Sequence, residues 1–192
     1  MTEFEKKQSG LIYDARDLEI RKQYNFAKKR VKIYNDIPVD DMDTRNKVLK
    51  TFIGSIGENV RINQPFLVDY GYNIKIGRNC IINMNCTFLD TGEISIGDNV
   101  LIGPDVKIYT ATHPVNGNDR FWEPDMAVKT STGKVKIGDY TWIGGGSIIL
   151  PNVEIGKNVV IGAGSVVTKN IPDNAIAAGN PCEVINWNEP LK

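Results

Sequence analysis

The chain has 192 residues, with 23 basic against 23 acidic side chains and 41% hydrophobic residues. That balance excludes a disordered polyelectrolyte and leaves no electrostatic footprint for nucleic acid or an anionic membrane. No apolar run approaches the roughly 18 residues of a membrane span, and the first residues lack the apolar stretch of a signal peptide. Cys80, Cys86 and Cys182 form no CxxC pair, and an odd count fits a reducing compartment, so the expected location is cytoplasmic. There is one histidine, His113, which excludes any chemistry needing several imidazoles, a three-histidine zinc site included.

Residues 1 to about 53 read as a helical cap. Ile20, Tyr24, Ala27, Val31 and Tyr34 recur at spacings of four and three, one face of a helix. Asp14 and Asp17 stand where an N-cap and first turn want acids, and Pro38 follows the end of the pattern. A second, shorter helix is predicted from Asp40-Asp41, with Met42, Leu49, Phe52 and Ile53 on one side and Gly54 as its stop. The cluster Lys28-Lys29-Arg30 reads as a solvated helix surface.

From residue 54 onward the pattern is different. Aliphatic residues recur every six positions: Ile56, Ile62 and Val68; Ile76, Ile82 and Phe88; Ile96, Ile102 and Ile108; then Ile137, Ile143, Ile149, Ile155, Ile161 and Val167. Neither a helix nor an ordinary strand has that period. Six residues make one short strand and one tight turn, three such units close a triangular coil, and stacked coils form a parallel β-helix. The frequent Gly and Asn supply turns that need φ > 0. Ile56, Ile76 and Ile96 are 20 apart, which adds a two-residue bulge at one corner, whereas Ile137 and Ile155 are 18 apart. Between Ile96 and Ile137 an excursion of about residues 110–134 leaves the coil, and His113 stands at its root. The fold class expected is therefore mainly β: a β-helix of hexapeptide repeats over residues 54–192, with a C-terminal tail, one long excursion and an N-terminal helical cap.

These hexads resemble the galactoside and maltose O-acetyltransferases. The likeness is carried by Asp69-Tyr70-Gly71-Tyr72-Asn73-Ile74, Asn83-Met84-Asn85-Cys86, Thr110-Ala111-Thr112-His113-Pro114, Ile161-Gly162-Ala163-Gly164-Ser165 and Leu11-Ile12-Tyr13-Asp14. The resemblance implies a left-handed parallel β-helix that moves an acetyl group from acetyl-CoA to a sugar hydroxyl, with no metal. It also implies a homotrimer with each site between two subunits. His113 would take the hydroxyl proton, a task suited to an imidazole whose ordinary pKa lies near 6.5. Asn83, Asp90 and Asp69 would hold the acceptor, with Asp14 and Arg21 as further candidates, although Asn83 also fits a turn and Asp14 an N-cap. Trp142, Gly145, Ala163, Thr168 and Lys169 would meet the donor, and a backbone N–H in Gly144-Gly145-Gly146 fits an oxyanion contact, although turn geometry also explains those glycines. One departure stands out: Pro181-Cys182 is followed by Glu183, with Asn186 three further on, where such enzymes carry basic residues for coenzyme A phosphates. Two other readings stay open, an acetyltransferase of this fold with a non-sugar acceptor (an antibiotic alcohol or serine) and a non-enzymatic scaffold.

Overall fold

The computed structural model describes residues 1–191. Three helices come first: α1 (Glu3–Gln8), α2 (Leu18–Asp36) and α3 (Met42–Leu49), with a short strand β1 (Tyr13–Asp14) between the first two. Asp17 caps α2 by accepting from the Glu19 and Ile20 amides, and Asp41 caps α3 by accepting from Thr44. Asp14 is therefore not a cap; it lies in β1. Neither α1 nor β1 was legible in the sequence, because six helical and two extended residues are too few to show a period.

Five coils follow, each with three short strands. They are β2 (Ser55–Ile56), β3 (Arg61–Ile62) and β4 (Phe66–Val68); β5 (Ile74–Ile76), β6 (Ile81–Ile82) and β7 (Cys86–Leu89); and β8 (Ile94–Ile96), β9 (Leu101–Ile102) and β10 (Lys107–Tyr109). After the excursion, with β11 (Ala111–Thr112), β12 (Phe121–Trp122) and β13 (Ala127–Thr132), come the last two coils. These are β14 (Val135–Ile137), β15 (Trp142–Ile143) and β16 (Ile148–Ile149), then β17 (Val153–Ile155), β18 (Val160–Ile161) and β19 (Val166–Val167). A tail, β20 (Ala175–Ala178) and β21 (Glu183–Trp187), turns back antiparallel on itself.

The prism has three parallel sides: β2-β5-β8-β14-β17, β3-β6-β9-β15-β18-β20 and β4-β7-β10-β16-β19. Register is continuous, with Ile56, Ile76, Ile96, Ile137 and Ile155 paired in sequence up the first side. The six-residue beat is thus one side of the solenoid, and three beats close its perimeter. Every hexad aliphatic from Ile62 to Val167 points inward and is buried. Burying one such side chain contributes roughly 1.5–3 kcal/mol, so the column of isoleucines is the main source of cohesion.

The corner between the first and second sides is a column of left-handed residues: Asn59, Asn79, Asn99, Tyr140, Asn158 and Asn174, all with φ between 55° and 61°. Asn59 donates to Asn79 and Asn79 to Asn99, at 3.1 and 3.0 Å, and Asn158 donates to Asn174 at 2.9 Å. The ladder breaks at Tyr140. The open end of the first coil is sealed by the helices, as an exposed strand edge requires. Asn35 donates to the Phe66 carbonyl and accepts its N–H, both at 3.0 Å, imitating the missing strand. The Ile62 carbonyl receives Tyr34 Oη and Arg45 Nη2, each at 2.6 Å.

Candidate active site

The two-residue bulges lie at one corner, between the third and first sides. There the chain runs Asp69–Asn73 after β4, Asp90–Glu93 after β7, and the excursion after β10. Asp90 is fully buried. Its Oδ1 accepts from the backbone N–H groups of Asp69 at 3.0 Å and Tyr70 at 2.9 Å, and its Oδ2 has no partner among the described residues. Burial raises the Asp90 pKa to about 7 against those two bonds. An acceptor-holding role was expected of Asp90. The structure instead places its carboxylate inside the corner, where it shapes the loop that presents Asp69. Asp69 is half-buried and takes Lys28 Nζ at 3.0 Å, and Thr91 Oγ1 sits 3.4 Å from its other oxygen. Lys28 also donates to the Val68 carbonyl at 2.6 Å, so it is a site contact and not the solvated side chain expected; Lys29 is exposed.

The excursion is a small antiparallel sheet. β13 pairs with β1 along one edge and with β11 and β12 along the other. His113 follows β11, is exposed, and sets Nδ1 2.9 Å from the Lys129 carbonyl of β13. A carbonyl only accepts, so Nδ1 carries the hydrogen and Nε2 keeps its lone pair. Asp14 is the register partner of the same Lys129 on the opposite edge. Its carboxylate is forked by Arg16, with Nη2 at 2.7 Å and Nε at 3.0 and 3.1 Å, and Arg16 reaches on to Asp125 at 2.6 Å. Asp14 is held below its usual pKa by that pairing. Arg21 is exposed on α2 and makes no ion pair or hydrogen bond through its side chain among the described residues.

The expected donor residues lie elsewhere. Trp142 stands 53% exposed on the second side, between Leu101 and Val160. Gly144-Gly145-Gly146 forms the corner between the second and third sides, in the column that also holds Asn83, where Asn83 accepts from Asn63 at 3.4 Å and from the Met84 amide at 2.9 Å. A Cβ on Gly144 would lie 2.5 Å from the Ala163 nitrogen, so close stacking of coils demands glycine there. Gly144 and Gly146 spend their N–H groups on Ile161 and Pro104, whereas the Gly145 N–H makes no bond within the described residues. Ala163 is exposed beside it. Thr168 and Lys169 are exposed after β19, and Lys169 Nζ pairs with Glu183 at 3.7 Å.

One chain thus brings His113, Asp14, Asp69 and Asp90 to one corner region and puts Asn83, Gly145 and Ala163 on the next. The two corners are separated by a side of six residues, roughly 20 Å of extended chain. A cavity of about 840 Å³ opens on the first side among Asn73, Gly92, Thr132, Lys134, Lys136 and Glu154, and His113 does not line it. Sequence reasoning missed Lys7, Arg16 and Thr91, whose roles depend on contacts far apart in the chain. Among the described residues, no three His, Cys, Asp or Glu side chains converge as metal ligands would. Among the described residues no helix is long and apolar enough to cross a membrane.

A prism of hexads with a histidine on a sheet-forming excursion defines a hexapeptide-repeat transferase. The profile of the "Bacterial transferase hexapeptide (six repeats)" family matches residues 134–169, and that of the "Maltose acetyltransferase hexapeptide capping motif" matches residues 6–57. Nodulation protein L of Rhizobium meliloti is 42% identical over 183 residues, covering 95% of this chain and 97% of its own. The crystal structure of a maltose O-acetyltransferase from Clostridium difficile 630 matches with a TM-score of 0.94 at 46% identity, covering 99% of both chains. A galactoside acetyltransferase in complex with coenzyme A matches with a TM-score of 0.91 at 35% identity, covering 97% of this chain and 91% of the other. The chain belongs to the maltose and galactoside acetyltransferase family of hexapeptide-repeat enzymes, and it is an acetyltransferase.

Proposed function

We propose that the protein transfers the acetyl group of acetyl-CoA directly to a hydroxyl of a maltose- or galactoside-like sugar, with His113 as general base. The observation that carries this reading is the bond from His113 Nδ1 to the Lys129 carbonyl, which in the neutral ring leaves the Nε2 lone pair free on an exposed side chain. In the reaction the acceptor hydroxyl gives its proton to Nε2 as its oxygen attacks the thioester carbonyl. The C–O bond forms, the C–S bond breaks, and the proton passes to the departing thiolate. No acyl-enzyme is needed.

The residues present fit the donor. The small side chain of Ala163 and the bare backbone of Gly145 leave room for a thioester, and the Gly145 N–H, which makes no bond among the described residues, would bind a developing oxyanion. Trp142 offers a flat exposed face to the pantetheine arm, and Thr168 and Lys169 offer polar contacts near the top of the solenoid. On the acceptor side Asp69 offers a carboxylate steadied by Lys28, and Asp14 a carboxylate set by Arg16. Asn83 and Arg21 complete the set we assign to the sugar.

Because His113 and Gly145 stand on different corners of one prism, we infer that each site is assembled from two copies. His113 comes from one copy and the Trp142 side from its neighbour, in a homotrimer. Coenzyme A release from acetyl-CoA in the presence of maltose, galactosides, serine and antibiotic alcohols tests the acceptor class. Release with the sugars is expected; release only with serine or an antibiotic alcohol would refute the sugar reading. His113→Ala should lose about 10²–10⁴-fold in turnover with its thermal transition intact, and retained turnover would refute the base. A monomeric sedimentation profile would refute the shared site.

A further inference from the structure

We propose that Lys7 is a positioning residue of the acceptor site. Its side chain, sealed between Tyr70 and Tyr72, and its carbonyl, bound to Thr132, lock the wide corner to the strand that tethers His113. The inference rests on the reading of the site given above.

A lysine 1% exposed is unusual, since lysines are almost never fully buried unless paired. Here the compensation is specific. Nζ donates to Tyr72 Oη at 2.9 Å and lies 3.8 Å from the centre of the Tyr70 ring and 5.1 Å from that of Tyr72. Both tyrosines belong to the loop Asp69–Asn73, whose Asp69 and Tyr70 amides are held by Asp90. Asp90 in turn has a buried oxygen without a partner among the described residues. From the other end, the Lys7 carbonyl accepts from Thr132 Oγ1 at 3.0 Å, and Thr132 is in β13 with Lys129, the residue that fixes His113. One side chain and its own backbone therefore join the loop carrying Asp69 to the strand orienting the base.

The join depends on charge, because the attraction to the two ring faces requires an ammonium. Burial lowers the Lys7 pKa to about 8, and the nearby carboxylates Asp90 and Asp69 oppose the shift. The other ionisable groups around the pocket are the hydroxyls of Tyr13, Tyr70 and Tyr72, all pushed upward by burial, Glu19 of α2 near Tyr72, and Lys28 of α2 on Asp69. None of the tyrosines titrates before Lys7 as pH rises. The loop should therefore loosen above about pH 8 in the wild type.

The test compares wild type, Lys7→Met, which keeps the apolar stem, and Lys7→Arg, which keeps the charge at every pH. Acetyl transfer to maltose is followed from pH 6.5 to 9.5, and amide hydrogen exchange of β13 is measured at pH 7 without substrates. In Lys7→Met the maltose KM should be about ten-fold higher at pH 7, as expected for losing one charge-assisted contact. The acetyl-CoA KM should be unchanged and exchange at Lys129–Ser131 faster. The wild-type maltose KM should climb above about pH 8, and Lys7→Arg should abolish that climb. A wild-type KM in Lys7→Met overturns the proposal, and so does unchanged exchange in β13 whatever the kinetics. If the wild type acetylates no sugar, the sugar reading fails by itself, and the exchange measurement still decides the role of Lys7.

Discussion

Tyr140 interrupts an otherwise regular asparagine corner, and replacing it with asparagine should stabilise the fold. Its φ is 59°, in the left-handed region, and it is 54% exposed, so little packing is lost with the ring. An ordinary side chain in that conformation costs roughly 1–2 kcal/mol, part of which asparagine recovers through local hydrogen bonding. Asn99 below and Asn158 above already continue the same backbone column, since the Tyr140 N–H donates to Asp98 and the Asn158 N–H to Asp139. Tyr140→Asn would extend the ladder by two side-chain bonds, each contributing about 0.5 kcal/mol in so exposed a place. The sum is about 1–2 kcal/mol, or a rise of roughly 2–8 °C in Tm for a chain of this size. Differential scanning fluorimetry at one protein concentration measures it. Tyr140→Ala keeps a Cβ in the strained conformation and adds no bond, so it serves as the control. An unchanged or lower Tm for Tyr140→Asn, or an equal gain for Tyr140→Ala, would refute the reasoning.

Two other predictions concern charge. Asp90 binds its proton up to about pH 7 in the folded chain, against 3.8 in an exposed carboxyl, so the folded state holds a proton that the unfolded state has released between those values. Stability from this group is complete below about pH 4 and is lost as pH rises through 7; the full span is roughly 4 kcal/mol as an upper bound. Asp90→Asn should therefore flatten the fall in urea midpoint between pH 5 and pH 8, and an unaltered slope would contradict the assignment. Glu183 pairs with Lys169, which we assign to the donor. Glu183→Arg should tighten coenzyme A binding about five-fold by calorimetry, the scale of an exposed charge pair, and an unchanged Kd would show that the phosphates are held elsewhere.

Most of the solenoid was legible because its restraint is local and repeated. Each Ile of the beat faces the same interior, and each corner Asn meets the same backbone demand, so every six residues carry the information for one side of a coil. The excursion was legible as an interruption but not as a sheet. Its strands are two to six residues long, and β1, which completes it, lies outside the repeat altogether. His113 could be picked out by being alone, yet its tautomer depends on the Lys129 carbonyl, which no spacing rule predicts. Asp90 is assigned to the acceptor by resemblance, which carries no information on how deeply its carboxylate is buried. Its burial follows from the two amides of the neighbouring coil, a contact between residues 20 and 21 positions apart.

The closure of β13 by β1 has a consequence for how the enzyme comes into being. Tyr13 and Thr130 are paired across more than a hundred residues, while almost every other contact of the solenoid joins one coil to the next. Coil stacking can spread from neighbour to neighbour as the chain emerges, but a long-range pairing must wait for both of its partners. The strand that orients His113 is therefore completed only after three coils and the excursion have been synthesised. A chain lacking its first 14 residues should still stack its coils yet leave His113 on an incomplete sheet. On that expectation, stacking of the coils and the setting of His113 are separable steps, and the first 14 residues govern the second.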